Sequence, residues 1–71
     1  MTGKIIDARG KRCPLPIIEL AKALTSVEIG DSLTLLSDDP ATSADLNAWA
    51  RMTKNLVAPQ GVHRYLVTRK N

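Results

Sequence analysis

Two prolines separated by a single residue, Pro14 and Pro16, limit where the first helix of this chain can begin. Proline has no backbone N–H and a fixed φ, so a helix accepts it in the first turn but not in its interior. The apolar residues that follow recur at helical spacing, namely Ile17, Leu20, Ala21 and Leu24. The sequence therefore predicts a helix from Pro14 to about Thr25, with both prolines in its first turn.

Short apolar segments between turn residues predict the other elements. Four strands are expected, at Lys4–Asp7, Ser32–Ser37, Leu56–Ala58 and Val62–Arg69. The last two strands form an antiparallel hairpin with residues 59–61 as its turn. Ser32–Ser37 is the most apolar of the four and is expected in the middle of the sheet.

A second helix is predicted from Pro40 or Ser43 to Lys54, with its inner face made by Leu46, Trp49, Ala50 and Thr53. Two residues compete for its N-cap. Asp39 could cap a helix that begins with Pro40, or Thr42 could cap one with Asp45 three residues on. The pattern leaves both starts open.

The element order β-α-β-α-β-β predicts an α+β fold. Crossovers between parallel strands are right-handed, and a chain of 71 residues has little apolar surface to cover two faces of a sheet. We expect a two-layer α/β sandwich, with a four-stranded mixed sheet and both helices on one face. Residues 1–71 are expected to form one domain. Because the chain has no Phe, its core should be aliphatic.

Composition narrows the range of functions. A net charge of +3 with only two aromatic residues, Trp49 and Tyr65, does not favour nucleic-acid binding by base stacking. One Cys and one His cannot supply a four-ligand zinc site or an intramolecular disulfide. We expect no metal, no cofactor, no direct nucleic-acid contact and no membrane contact. The absence of a signal-peptide pattern predicts a cytoplasmic protein.

Cys13 is the candidate reactive residue, because it precedes the first helix and follows Arg9, Lys11 and Arg12. A helix N-terminus carries about half a positive charge, and cationic neighbours favour a thiolate over a thiol. With Cys13 as N-cap, Pro14 and Pro16 offer no N–H, so Leu15 N–H is the predicted donor to its sulfur. The competing interpretation is a small buried hydrophobic side chain.

The surroundings of Cys13 in the sequence exclude several thiol chemistries. A disulfide oxidoreductase needs a second cysteine two residues on, where this chain has Pro16. A cysteine hydrolase needs a held histidine base, and the single histidine, His63, lies in or just after the predicted hairpin turn. The chemistry that remains is a thiol that is loaded and unloaded, as in a carrier.

Several segments together resemble the TusA/SirA-type sulfur carriers. They are Asp7-Ala8-Arg9-Gly10, Arg12-Cys13-Pro14-Leu15-Pro16, Gly30-Asp31, Ser37-Asp38-Asp39-Pro40-Ala41 and the final stretch from Tyr65 to Lys70. The resemblance implies the same β-α-β-α-β-β sandwich and a persulfide carried on Cys13. It implies Arg9, Arg12, Pro14, Leu15 and Pro16 as supporting residues, and Lys11, Asp38 and Asp39 as partner contacts. Solvation of the basic residues, and helix capping by the two aspartates, are the alternatives.

The resemblance also implies partners and pathways. The sulfur donor would be a cysteine desulfurase, a rhodanese or a related carrier, and an acceptor protein would take the sulfur toward tRNA thiolation, sulfur oxidation or a molybdenum cofactor. We expect a monomer that acts as a carrier, although each step could be classed as sulfurtransferase activity. Leu15 stands where tRNA-modifying relatives often have an acidic residue, which leaves the pathway open. A regulatory protein-interaction module with the same fold and no sulfur transfer is the alternative.

Overall fold

The computed structural model describes residues 4–12 and 15–70. Its elements follow the predicted order. The strands are β1 (Ile5–Asp7), β2 (Ser32–Leu36), β3 (Leu56–Gly61) and β4 (Arg64–Thr68), and the helices are α1 (Leu15–Leu24) and α2 (Thr42–Thr53).

The four strands form one mixed sheet in the order β1-β2-β4-β3. β1 is parallel to β2, whereas β4 is antiparallel to both β2 and β3. β2 is therefore an interior strand, as predicted. Both crossovers, β1-α1-β2 and β2-α2-β3, move in the same direction across the sheet, and right-handed connections then place both helices on one face. The two helices contact each other there, so the predicted two-layer α+β sandwich is confirmed.

The core is aliphatic, as the composition predicted. Burial alternates along β2: Leu33 and Leu35 are buried beneath the helices, whereas Ser32, Thr34 and Leu36 are only half-buried. The remaining buried apolar residues come from the two helices, from β4 and from the loops after β1 and α1. They are Ala8, Leu20, Leu24, Val27, Leu46 and Val67. Trp49 and Tyr65 pack at the margin of this cluster, partly exposed. The aromatic residues therefore border the core and do not fill it.

Helix α1 buries a slightly different face from the one predicted. Pro16 is buried in the first turn, which agrees with the prediction that the helix accepts it there. Pro16, Leu20 and Leu24 lie four residues apart and form the buried line. Ala21 is exposed, and Ala23 packs against the core instead. The prediction for Ala21 was wrong because the centre of the buried face passes through Leu20 and not between Ile17 and Ala21.

Neither predicted N-cap of α2 is correct. The helix begins at Thr42 after Ala41, and the N-cap Ala41 supplies no side-chain bond. Asp39 Oδ1 accepts the Ala41 N–H at 2.8 Å, which fixes the turn before the helix. The Thr42 hydroxyl is buried and forms a 2.7 Å hydrogen bond with the Ser37 hydroxyl, which ties α2 to the end of β2. The helix ends at Thr53, and its C-cap, Lys54, has a left-handed φ of 62°.

The hairpin loop begins three residues later than predicted. Residues 59–61 belong to β3, and the loop consists of Val62 and His63. Pro59 pairs with Tyr65 and Gly61 pairs with Arg64, so Gln60 is the extra residue of a β-bulge. Pro59 is accepted because β3 is an edge strand, where a missing N–H breaks no ladder. The Pro-Gln-Gly stretch thus makes a bulge and not a turn.

The burial pattern predicts a large difference between two equivalent truncations. Leu35 is fully buried and Leu56 is 55% exposed. Leu35→Ala should lower the free energy of unfolding by about 2–5 kcal/mol, because it leaves a cavity in the core. Leu56→Ala should change it by less than about 1 kcal/mol. Urea denaturation of the two variants checks this, and equal losses would contradict the assigned core.

Candidate functional site

The loop after β1 and the loop after β2 meet at one end of the sheet. The Ala8 N–H donates to the Leu36 carbonyl at 2.8 Å, which continues the parallel pairing past the end of β1. The Gly10 N–H then donates to the Asp38 carboxylate at 2.9 Å. These two loops therefore lie at neighbouring strand ends. Because both loops lead directly into helices, the segments that begin α1 and α2 are joined by this bond.

Residues 8–12 form a tight turn that leads toward α1. The Lys11 N–H donates to the Ala8 carbonyl at 3.1 Å, and Gly10 has a φ of +83°. A side chain at residue 10 would meet no neighbouring atom within 4 Å, so the requirement for glycine is conformational and not steric. The turn and the Asp38 bond together fix the backbone that precedes residue 13.

Cys13 and Pro14 lie outside the described residues, so the predicted N-cap role of Cys13 stays a prediction. The neighbouring backbone corrects one detail of that prediction. Leu15 N–H donates to the Arg12 carbonyl at 2.9 Å, so it is not a free donor for an anionic sulfur. Leu15 itself is 49% exposed, whereas Pro16 is buried. The helix dipole and nearby cations are then the remaining sources of stabilisation for a thiolate.

Arg9 is held by Asp7 and does not point its charge freely into the site. Its Nε and Nη2 donate to the two Asp7 carboxylate oxygens at 2.9 and 2.8 Å, and its backbone N–H also donates to Asp7 at 3.1 Å. These bonds lower the pKa of Asp7 from its ordinary 3.8 to about 2, and they raise the pKa of Arg9. These bonds orient the guanidinium, and Asp7 compensates its charge.

The other two cations of the loop differ from each other. The Lys11 ammonium forms an ion pair with Glu19, one turn into α1. Arg12 is exposed and has no acidic partner within residues 4–12 and 15–70. Of the three basic residues that precede Cys13, Arg12 therefore keeps its charge uncompensated. The supporting role of Arg12 and the partner contact of Lys11 stay predictions.

The two predicted acidic contacts, Asp38 and Asp39, have separate positions. Asp38 is exposed and holds Gly10, so it belongs to the same structure as the loop before α1. Asp39 is half-buried and fixes the turn before α2 through Ala41. The sequence interpretation missed Asp7 and Glu19, which compensate two of the predicted cations. Asp7 stands two residues before Arg9, a spacing that signals the pair, but no sequence signal connects Lys11 with Glu19.

The tip of the β3–β4 hairpin reaches the same end of the sheet. The Ser37 N–H donates to the His63 carbonyl at 3.0 Å, and this bond attaches the hairpin loop to the end of β2. A groove of about 390 Å³ lies here, lined by Arg9, Leu36 and residues 60–64, and is called the hairpin groove below. It shares Arg9 with the loop before α1. The sequence interpretation placed His63 in or just after the hairpin turn, and it is in the loop.

The described residues contain no group of three His, Cys, Asp or Glu side chains that could hold a metal ion. No helix in the described part of the chain is long and apolar enough to cross a membrane.

Comparisons with known proteins agree on one family. The family model "Sulfurtransferase TusA" matches residues 4–69. A protein of Archaeoglobus fulgidus named "Putative sulfur carrier protein" is 38% identical over 47 residues, which are 66% of this chain and 64% of that protein. The match thus spans slightly less than two thirds of that relative. The crystal structure of a SirA-like protein from Desulfitobacterium hafniense is similar with a TM-score of 0.75 and 25% identity, over 94% of this chain and 97% of that one.

The Asp7–Arg9 pair predicts a measurable pH dependence. Asp7 should titrate near pH 2 in carboxyl-detected NMR, and Arg9→Ala should return its pKa toward 3.8. Because the pKa is lower in the folded chain than in the unfolded one, the pair stabilises the fold above about pH 4. That contribution is lost as the pH falls from 3.8 toward 2.

Arg51→Ala, on the exposed side of α2, is the control and should leave the pKa of Asp7 unchanged. A wild-type Asp7 that titrates near 3.8 would disprove the assigned pair.

Proposed function

Because the chain belongs to the TusA family, we propose that it is a sulfur carrier that accepts a persulfide sulfur on Cys13 and passes it to an acceptor protein. Residues 1–71 act as a single carrier domain in this proposal. The observation that supports it most directly is the position of Cys13. It is the only cysteine of the chain, and it follows a loop that is fixed to the neighbouring strand end by Asp38.

A single cysteine suits a carrier better than a reductase. With no second thiol in the chain, a persulfide on Cys13 cannot be released by an internal disulfide. The sulfur stays on the carrier until a thiolate from outside the chain attacks it. Loading and delivery are therefore two separate reactions, as transport of sulfur between two partner proteins requires.

Loading is a thiol exchange at sulfur. The Cys13 thiolate attacks the outer sulfur of a donor persulfide, R–S–SH. The new S–S bond forms as the donor S–S bond breaks, the donor leaves as R–S⁻, and Cys13 becomes Cys13–S–SH. Delivery is the same exchange in the opposite sense, with an acceptor thiolate as the nucleophile and the Cys13 thiolate as the leaving group. Neither step needs an external oxidant or reductant.

The charges around the loop before α1 favour the Cys13 thiolate in both steps, loading and delivery. Arg12 is uncompensated within the described residues, and residue 13 precedes the positive end of the α1 dipole. A lowered thiol pKa raises the thiolate fraction that attacks the donor and also makes Cys13 a better leaving group during delivery. Arg9 contributes less to this field, because Asp7 compensates its charge.

The partners are proposed by class. A cysteine desulfurase, a rhodanese or a related carrier would load Cys13, and a protein acceptor would direct the sulfur toward tRNA thiolation, sulfur oxidation or a molybdenum cofactor. Lys11, Asp38 and Asp39 are proposed as contacts to these partners. The relay would operate in the cytoplasm with the carrier as a monomer.

Loading of Cys13 is tested directly by mass spectrometry. After incubation with a cysteine desulfurase, pyridoxal phosphate and cysteine, the intact protein should gain the mass of one sulfur, and dithiothreitol should remove it. Cys13→Ser should gain none, because a serine hydroxyl cannot form the S–S bond. An equal gain in the Ser variant, or no gain in the wild type, would sink the proposal and favour an interaction module without sulfur transfer.

The Asp38–Gly10 hydrogen bond predicts a second effect. Asp38→Ala removes the acceptor of the Gly10 N–H, so the loop before α1 should lose its fixed position. We expect a fall in unfolding free energy of about 0.5–1.5 kcal/mol. Sulfur transfer from loaded Cys13 to an acceptor protein should also slow by about three- to tenfold, since a misplaced reactive group reacts more slowly.

Asp31→Ala removes a carboxylate elsewhere in the chain and is the matched control. Its transfer rate should equal that of the wild type. If Asp38→Ala transfers sulfur as fast as the control, the fixed loop has no part in delivery.

A further inference from the structure

The hairpin groove presents hydrogen-bond donors and no carboxylate. Its lining residues include Arg9, Gln60, His63 and Arg64, whose side chains can all donate hydrogen bonds. Asp7, which accepts from Arg9, and Asp38, which accepts from Gly10, are not among the residues that line the groove. The Nη1 of Arg9 and the guanidinium of Arg64 have no acceptor among residues 4–12 and 15–70. The groove is therefore suited to a ligand that brings acceptors.

Arg9 is oriented before any ligand arrives. Its Nε and Nη2 donate to Asp7, so the remaining edge of the guanidinium, with Nη1, points away from that carboxylate. An arginine whose rotamer is already fixed loses less conformational entropy on binding than a free one. The compensated charge of Arg9 leaves Arg64 as the stronger attraction for an anion, with Arg9 as a positioned donor.

The groove is also partly apolar. Leu36 is half-buried in its wall, and Val62 at the hairpin tip is 85% exposed. The next residue, His63, has a φ of 58°, a left-handed conformation that is unfavourable for a residue with a Cβ. The bond from Ser37 N–H to the His63 carbonyl holds this loop in place. Val62 is thus displayed to solvent on a restrained loop.

We propose that the hairpin groove binds an acidic segment of a partner protein of the sulfur relay. A carboxylate of that segment would accept from Arg64 and Arg9, and a neighbouring apolar side chain would pack on Val62 and Leu36. A peptide segment fits better than a bare oxyanion because the lining combines donors with apolar surface. The identity of the partner as a relay protein rests on the proposed function, whereas the acidic-segment chemistry rests on the groove.

NMR titration of the full-length chain tests the groove without any sulfur transfer. The probe is a short capped peptide of alternating Glu and Leu. It should shift the amide signals of residues 60–64, and Arg64→Gln should weaken its binding by about three- to tenfold, since a charge-assisted hydrogen bond is lost. Val62→Ser should also weaken it. Arg51→Gln, the same change on the exposed side of α2, should not.

Three control probes can overturn the proposal by binding the groove as well as, or better than, the Glu-Leu peptide. A Gln-Leu peptide of the same length that binds equally well would remove the role of the carboxylate. Inorganic sulfate and oligouridine are tested at the same ionic strength. If sulfate binds the groove more tightly than the peptide does, the groove is a site for a free oxyanion. If oligouridine binds more tightly, the groove is a site for RNA. Shifts that fall outside residues 60–64 and Arg9 would place the peptide elsewhere.

A separate measurement keeps this proposal distinct from the carrier proposal. Inorganic polysulfide, which needs no protein docking, should load Cys13 equally in the wild type and in Arg64→Gln. If polysulfide does not load the wild type, the proposed carrier function is wrong. The peptide titration then still decides independently whether the groove binds an acidic segment. If Arg64→Gln loses loading as well as peptide binding, Arg64 acts on Cys13 and the groove is not a separate docking site.

Discussion

The hydrogen bond between the Gly10 N–H and the Asp38 carboxylate connects the two halves of this small structure. It follows the Ala8–Leu36 backbone bond that prolongs the parallel pairing of β1 and β2, and it lies where the loops after these two strands turn toward the helices. The adjacent Ser37–Thr42 hydroxyl pair attaches the start of α2 to the same place, and the Ser37 N–H attaches the hairpin. One end of the sheet is thereby tied together by short polar contacts, while the aliphatic core lies behind it.

Much of the fold could be predicted because its strongest signals are local. The prolines at 14 and 16 fix the region where α1 begins, and the apolar run in β2 identifies an interior strand. The hairpin turn was misplaced because Pro-Gln-Gly resembles a turn, and only the pairing register shows that Gln60 is a bulge. The caps of α2 were wrong for a related reason, since the Thr42 hydroxyl has a buried partner in Ser37 that only the folded chain supplies.

The candidate site was partly predictable for the same physical reasons. That the loops carrying Asp38 and Gly10 meet follows from the common end of two parallel strands. The spacing of Asp7 and Arg9 signals one ion pair, whereas the partner of Lys11 does not follow from the sequence, because it depends on how the loop folds back. Lys11 reaches Glu19 only once α1 lies beside the turn, and Arg9 folds onto Asp7, so three adjacent cations present much less charge than their number suggests. The Leu15 N–H is likewise occupied by a local turn, which no composition argument shows.

The bulge at Gln60 and the proline beside it have a consequence for how this protein meets others. A sheet edge with an unbroken row of N–H and C=O groups invites strand addition by any extended chain. Here one edge strand, β3, is interrupted at Pro59 and Gln60, and the other, β1, has only three residues. Neither edge offers a long template for backbone pairing. Recognition of partners then depends on side chains at the loop end of the sheet. A carrier with such edges can dissociate from each partner without breaking a row of backbone hydrogen bonds between paired strands.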